Sequence, residues 1–205
     1  MEELELHAYA ERLASASPTP GGGSAAAVVG ALGAALCAMV ARITGPANGG
    51  GAIAEEADRL RRALLVERRL DEVAYGAVVT AMGLPKTTPD EKTLRTRSLQ
   101  DALATAATAP MGVARRAAAV VALAEATLQL GNDNLVSDVL CAAEFGAAAL
   151  AASAANVRIN HKYLKDAALV NAQAGELAEL EASAREHVAR VRRTAAEVLT
   201  SASRR

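Results

Sequence analysis

Between Ser24 and Ala41 the chain runs eighteen residues without a charge, and most of them are alanine or glycine. Side chains this small fill little space, so any partner must approach closely. The bulky residues Val28, Leu32, Leu36, Met39 and Ile43 fall on one helical stripe, and Ala26, Gly30, Ala34 and Ala38 on another. This pattern predicts a buried central helix from Ser24 to about Ile43. A membrane span is disfavoured, because alanine and glycine gain little from hydrocarbon.

The remaining segments repeat with helical period, and none alternates like a strand. The expected fold is all-α: a multihelical bundle of long antiparallel helices in a single domain, residues 1–205. A first helix is expected over Leu4–Ala16, a third over Ile53–Met82, and a fourth from the Thr88-Pro89-Asp90-Glu91 start signal to Thr108. Pro110 is expected to open a fifth helix ending at Gly131-Asn132. A sixth should run from Asn134 towards Tyr163 and a last from Gly175 to Ser201. So much alanine buries little apolar area per contact, which makes a homodimer the default expectation.

Charge and composition remove several function classes. Twenty-two basic residues face twenty-three acidic ones, so no overall field draws nucleic acid or an anionic membrane. With no Trp, one Phe and three Tyr, stacking platforms for single strands are missing as well. Cys37 and Cys141 lie in apolar small-residue runs and read as buried, reduced thiols. The acidic start Met1-Glu2-Glu3 favours a cytoplasmic address, and the scattered His7, His161 and His187 offer no metal-site spacing.

Candidate chemistry begins at Pro18-Thr19-Pro20-Gly21-Gly22-Gly23-Ser24, a stiff approach, a bare turn and a capping serine at a helix start. Neither a dinucleotide fingerprint nor a P-loop fits, since no strand precedes it and no Lys-Ser/Thr follows. Free N–H groups at residues 22 to 25 suit an anion or a carbonyl, against the alternative of a plain connector. Lys86, Lys92 and Arg95 gather cations around the fourth helix start, as a carboxylate site or as a solvated turn. Asp71 stands where the third helix turns from charged to apolar. Ser137 and Asp138 open the sixth, where a carboxylate is either a working acid or base or a second cap. Asn156 and Asn160 share a face, pairing across helices or holding a polar heterocycle. On an unbroken helix Asp138 and Asn156 are about 27 Å apart, so one ligand reaches both only if the helix breaks near Gly146 or a dimer brings the two ends together, and a site between subunits is the expectation.

Taken in order, these pieces resemble the cyclodeaminase/cyclohydrolase family. The resemblance rests on Pro18 to Ser24 with Gly30 to Leu36 and Met39-Val40-Ala41, Asp71 with Ala74-Tyr75, and Leu84-Pro85-Lys86 with Glu91-Lys92 and Arg95. It continues through Pro110, Gly131-Asn132, Ser137-Asp138 and Asn156 to Asn160, with Asp166 behind. It implies a helical, usually dimeric protein that binds tetrahydrofolate derivatives, with no metal and no tightly bound cofactor. Absence of a formiminotransferase half makes a free-standing cyclohydrolase the better match. Two features depart from the family's pattern: the glycine-rich stretch 45–51, charged in relatives, and His161, where an aliphatic is usual.

What the resemblance implies for chemistry is hydrolysis of 5,10-methenyltetrahydrofolate to 10-formyltetrahydrofolate. The cationic bridging carbon takes up water once a base removes its proton. Asp138 is the first expectation for that base, Asp71 the second and Lys86 an alternative. Lys86, Lys92 and Arg95 would hold the glutamate tail, the turn from Pro20 to Ser24 a polar edge, and Asn132, Asn156 and Asn160 the pterin, with Ser137 a further substrate-binding candidate. The rival readings are the ammonia-releasing cyclisation of 5-formiminotetrahydrofolate and a non-catalytic helical binding or assembly protein.

Overall fold

A computed structural model describes residues 6–201; the expected start of the first helix at Leu4 and both ends of the 1–205 domain lie outside them. The described residues form α1 (Leu6–Leu13), α2 (Gly22–Thr44), α3 (Gly50–Met82), α4 (Pro89–Leu128), α5 (Val136–His161) and α6 (Ala167–Ser201). Short 3-10 turns at Pro46–Asn48 and Asp133–Leu135 join α2 to α3 and α4 to α5. Among these residues there is no strand, and the all-α bundle is the observed fold.

Cross-helix neighbours set the directions. Gly23 meets Asp71 and Gly30 meets Leu64, while Gly30 also meets Ala149 and Gly33 meets Ala142 and Phe145, so α2 runs antiparallel to both α3 and α5. Glu67 pairs with Arg116 and Met82 meets Arg95, while Gly146 abuts Ala117 and Asn160 meets Ala106, which makes α4 antiparallel to α3 and α5 as well. Arg115–Glu176 and Glu125–His187 show α6 lying parallel to α4, on the side away from α2.

The two stripes of α2 separate. Ala26, Gly30, Ala34 and Ala38 are buried, as the close-packing pattern requires, whereas Leu32 and Ile43 on the bulky stripe are 49% and 60% exposed. The helix therefore puts its small face, not its large one, into the bundle. Small residues win there because three neighbours converge on α2, and a leucine at Gly33 would have nowhere to go. By length and composition α2 and the segment Asp133–His161 are apolar enough to cross a membrane; most of the α2 window is buried by its neighbours, as in the core helix of a bundle.

Several expected boundaries move, each for a local reason. Pro110 does not open a new helix but sits, fully buried, inside the 40-residue α4. Ser24 is not the cap of α2: Gly21 holds that position without a side-chain bond, and the helix begins two residues earlier. Neither Asp133 nor Asn134 caps α5, which starts at Val136. The last helix begins at Ala167 because the Asp166 carboxylate accepts the Leu169 N–H at 3.0 Å, an N-cap that reading from Gly175 overlooks. The capping box at Thr88 and Glu91 is present as expected. Cys37 is buried, its thiol pushed up to about 11 by desolvation, but Cys141 is exposed.

Gly33 and Gly76 give opposite tests of this packing. A Cβ at Gly33 would stand 2.9 Å from the Ala142 carbonyl oxygen, so Gly33→Val is expected to lower unfolding free energy by more than about 2 kcal/mol in urea titrations. At Gly76 nothing lies within 4 Å, and Gly76→Ala is expected to raise it by about 0.5–1 kcal/mol.

Candidate functional site

A helix start needs acceptors for its first N–H groups, and in α2 one is supplied from another helix. The Asp71 carboxyl group, from the middle of α3, lies directly over Gly23 and faces the Ser24 backbone N–H. Gly23 is what admits it, since any Cβ there would overlap the carboxyl group. The anion predicted for this turn is thus partly met from within the chain. Gly22 and Gly23 keep the first two N–H groups of α2 without an intrahelical partner.

Around this contact lies a cavity of about 140 Å³, lined by Pro18, Thr19 and the three glycines on one side and Asp71 and Tyr75 on another. Ala106, Asn156, Ile159 and Asn160 close it. Asp71 and Tyr75 share a face of α3 by their spacing of four, and so do Asn156 and Asn160 on α5. Burial raises the pKa of Asp71 above the ordinary aspartate value; the Ser24 N–H acts against that rise and the neighbouring Glu72 charge adds to it.

Pro110 explains the wall opposite the glycines. Lacking an N–H, it leaves the Ala106 carbonyl without its intrahelical partner. The Asn160 Nδ2 donates to that oxygen at 2.8 Å and to the Asn156 carbonyl at 3.0 Å. Asn156 Nδ2 donates to the Ala152 carbonyl at 2.8 Å and stands 3.3 Å from where a Gly22 Cβ would be. Both Asn160 donors and one of the two on Asn156 are committed to backbone, and both amides have Oδ1 acceptors available at the cavity, matching a ligand edge that donates hydrogen bonds.

The sequence candidates divide into three groups. Gly21, Gly22, Gly23, Asp71, Asn156 and Asn160 meet in the cavity. Pro20 and Ser24 are buried beside it, the Ser24 hydroxyl turned away towards Tyr9 and Glu72. Lys86, Lys92 and Arg95 stand at the same end of the bundle but beyond the cavity: Arg95 donates to the Met82 carbonyl, and Lys92 borders a shallow groove with Arg97 and Gln100. Lys92 precedes Ala106 by fourteen residues, about 21 Å along α4.

Asn132, Ser137 and Asp138 lie at the opposite end, where Asn132 Nδ2 donates to Thr44 Oγ1 at 3.2 Å. Helix α5 is unbroken from Val136 to His161, so Asp138 and Asn156 are about 27 Å apart within one chain. Asp71, at the turn of α3 from charged to apolar sequence, is half-buried and faces the cavity. Missed entirely were Tyr9 and Glu72 and the junction of Ala106 with Asn160. Only the spacing of Asp71 and Tyr75 gave a local signal. Among the described residues no group of three or more His, Cys, Asp or Glu is placed to hold a metal ion.

The family model described as formiminotransferase-cyclodeaminase matches residues 5–179, most of the chain and every wall of the cavity. The chain belongs to this family. Within the formiminotransferase-cyclodeaminase family it is 39% identical over 186 residues to methenyltetrahydrofolate cyclohydrolase of Methylorubrum extorquens, covering 87% of this chain and 89% of that protein. It is 32% identical to formimidoyltransferase-cyclodeaminase of Rattus norvegicus over 175 residues, 80% of this chain but 32% of that longer protein. A crystal structure of formiminotetrahydrofolate cyclodeaminase from Thermotoga maritima superposes with a TM-score of 0.85 at 31% identity, over 96% of this chain and 98% of that one.

The Pro110 junction predicts a coupling. Asn160→Ala is expected to destabilise the protein by about 1–3 kcal/mol, by stranding the Ala106 carbonyl. With Pro110→Ala restoring an N–H to that carbonyl, the same change is expected to have a smaller effect, and a double-mutant cycle by chemical denaturation measures the difference.

Proposed function

We propose that this protein hydrolyses 5,10-methenyltetrahydrofolate to 10-formyltetrahydrofolate, with Asp71 as the base. The observation that carries the reading is a half-buried carboxylate in the cavity wall, anchored on one helix start and facing two amides whose acceptors are free. The similarity to the Methylorubrum extorquens cyclohydrolase over nearly the full length of both chains supports the substrate class.

Asp71 attracts the amidinium cation and removes a proton from a water attacking the bridging carbon, giving a neutral tetrahedral carbinolamine. The bond from that carbon to N5 then breaks. N5 takes a proton, the hydroxyl loses one, and the formyl group stays on N10; one proton is released overall. Raised basicity suits Asp71 to this role. The Asn156 and Asn160 Oδ1 atoms accept from the pterin N–H groups, and the Gly22 and Gly23 amides donate to its polar edge. An elongated ligand leaving this cavity along α4 brings its glutamate carboxylates towards Lys92 and Arg95, with Lys86 on the preceding turn.

A homodimer belongs to the same proposal. Apolar side chains left in water on α2 (Leu32, Ile43) and α3 (Val66, Leu70, Val73) support it, and Asp138 reaches a cavity of this kind only from a second copy. Cyclodeaminase activity is the second reading, favoured by the Thermotoga maritima structure.

Loss of the near-ultraviolet band of methenyltetrahydrofolate above the uncatalysed rate tests the assignment; ammonia release from the formimino substrate without that loss selects the second reading. Asp71→Asn is expected to lower kcat at least about a hundredfold, and Asp138→Asn less than about tenfold. Turnover should fall on acidification with a midpoint above the ordinary aspartate value. Because folding raises the Asp71 pKa, its contribution to stability is greatest below the unfolded value and is lost as pH rises through the folded one. Asp71→Asn should therefore melt no lower than the parent at neutral pH.

A further inference from the structure

Behind Asp71, on the side away from the cavity, lies a polar chain that the reaction does not touch. Tyr9, on α1, is buried with its hydroxyl 2.9 Å from Ser24 Oγ, and the fully buried Ser24 hydroxyl donates to Glu72 Oε1 at 3.0 Å. A serine hydroxyl has one proton. With that proton on Glu72, the Tyr9 hydroxyl must donate to Ser24, so the chain runs one way, from Tyr9 through Ser24 to Glu72. It ends on a carboxylate because Arg68 Nη1 and Arg12 Nη2 hold Glu72 at 3.0 and 3.6 Å. Arg68 also lies over the Tyr9 ring, 5.6 Å from its centroid.

Ser24 joins this chain to the cavity. Its side chain belongs to the buried chain while its backbone N–H meets Asp71. Glu72, the chain's terminus, is the next residue after Asp71. We infer that Tyr9, Ser24 and Glu72 form a positioning unit for Asp71, holding the α2 start against its carboxyl group and fixing a negative charge beside it. This inference rests on the reading of Asp71 as the base.

A fixed negative neighbour disfavours a second ionised carboxylate, so Glu72 makes Asp71 the stronger proton acceptor. Among the described residues, the groups that face Asp71 come from three sides. Glu72 comes from its own helix, with Arg68 and Arg12 behind it, and α2 brings Gly23 and the Ser24 amide. Tyr75, Asn156 and Asn160 bring no formal charge from across the cavity. Tyr9 stands behind Ser24 and is held neutral, burial raising its phenol above the ordinary value. The sign of each charge therefore predicts the sign of its effect.

The test titrates the Asp71 side-chain carboxyl by carbon-13 NMR in full-length protein labelled at aspartate, the signal being assigned by its loss in Asp71→Asn. Glu72→Gln keeps an acceptor for Ser24 and removes the charge; it is expected to lower the Asp71 midpoint by at least about half a pH unit and to move the acidic limb of kcat with it, KM being held. Arg68→Met removes the opposing charge and is expected to move the midpoint upward. Tyr9→Phe is expected to lower kcat several-fold, an effect no longer seen when Glu72 is already Gln. Midpoints that coincide in parent, Glu72→Gln and Arg68→Met would overturn the inference. The titration needs no turnover, so it stands apart from the base assignment, which full activity in Asp71→Asn would sink on its own.

Discussion

The contact between the start of α2 and the Asp71 carboxyl group organises this end of the molecule. It joins a helix end that lacks acceptors to a carboxylate that has left bulk water, and each removes part of the other's penalty. The contact exists because Gly23 has no side chain and because α2 and α3 come close enough to share it. That closeness in turn follows from the small face of α2, with Ala26 and Ala27 buried a turn further on. Replacing the small stripe by larger residues would move α3 away and separate the carboxylate from the amides before it disturbed the fold as a whole.

Much of the architecture was legible in the sequence because helical period, capping and turn residues are local signals. The Thr88-Pro89-Asp90-Glu91 start and the spacing of Ala26, Gly30, Ala34 and Ala38 are read within one or two turns, and both stand in the structure as read. The misjudged places depend on partners distant in sequence. Pro110 looks like a helix start until an amide fifty residues later is seen to take up the carbonyl it frees. Ser24 looks like a cap until Tyr9 and Glu72 claim its hydroxyl.

The candidate site shows the same division. The glycine turn and the two asparagines could be singled out by residue type alone, whereas Asp71 and Asp138 could not be ranked. Both are carboxylates at apparently reasonable positions on helices. What separates them is that α5 continues without a break, which places Asp138 at the far end of the bundle, and that Asp71 falls opposite the only residue type able to admit it. The first was open to sequence reading, since the segment after Asn134 has unbroken helical period, but the second has no signature in the neighbouring sequence.

An all-helical protein faces a general difficulty in binding a polar heterocycle: helices consume their own peptide groups, leaving a wall of side chains with no backbone to offer. Valence is left over at two kinds of place, the ends of helices and the residue four before a proline. Here the cavity lies where one of each faces the other, the start of α2 across from the carbonyl released by Pro110. The buried proline is therefore more than a tolerated irregularity in a long helix. It opens a peptide bond's hydrogen-bonding capacity in the middle of a sealed surface, and Asn160, by answering that carbonyl, turns a helix defect into a fixed edge against which a ligand can be oriented.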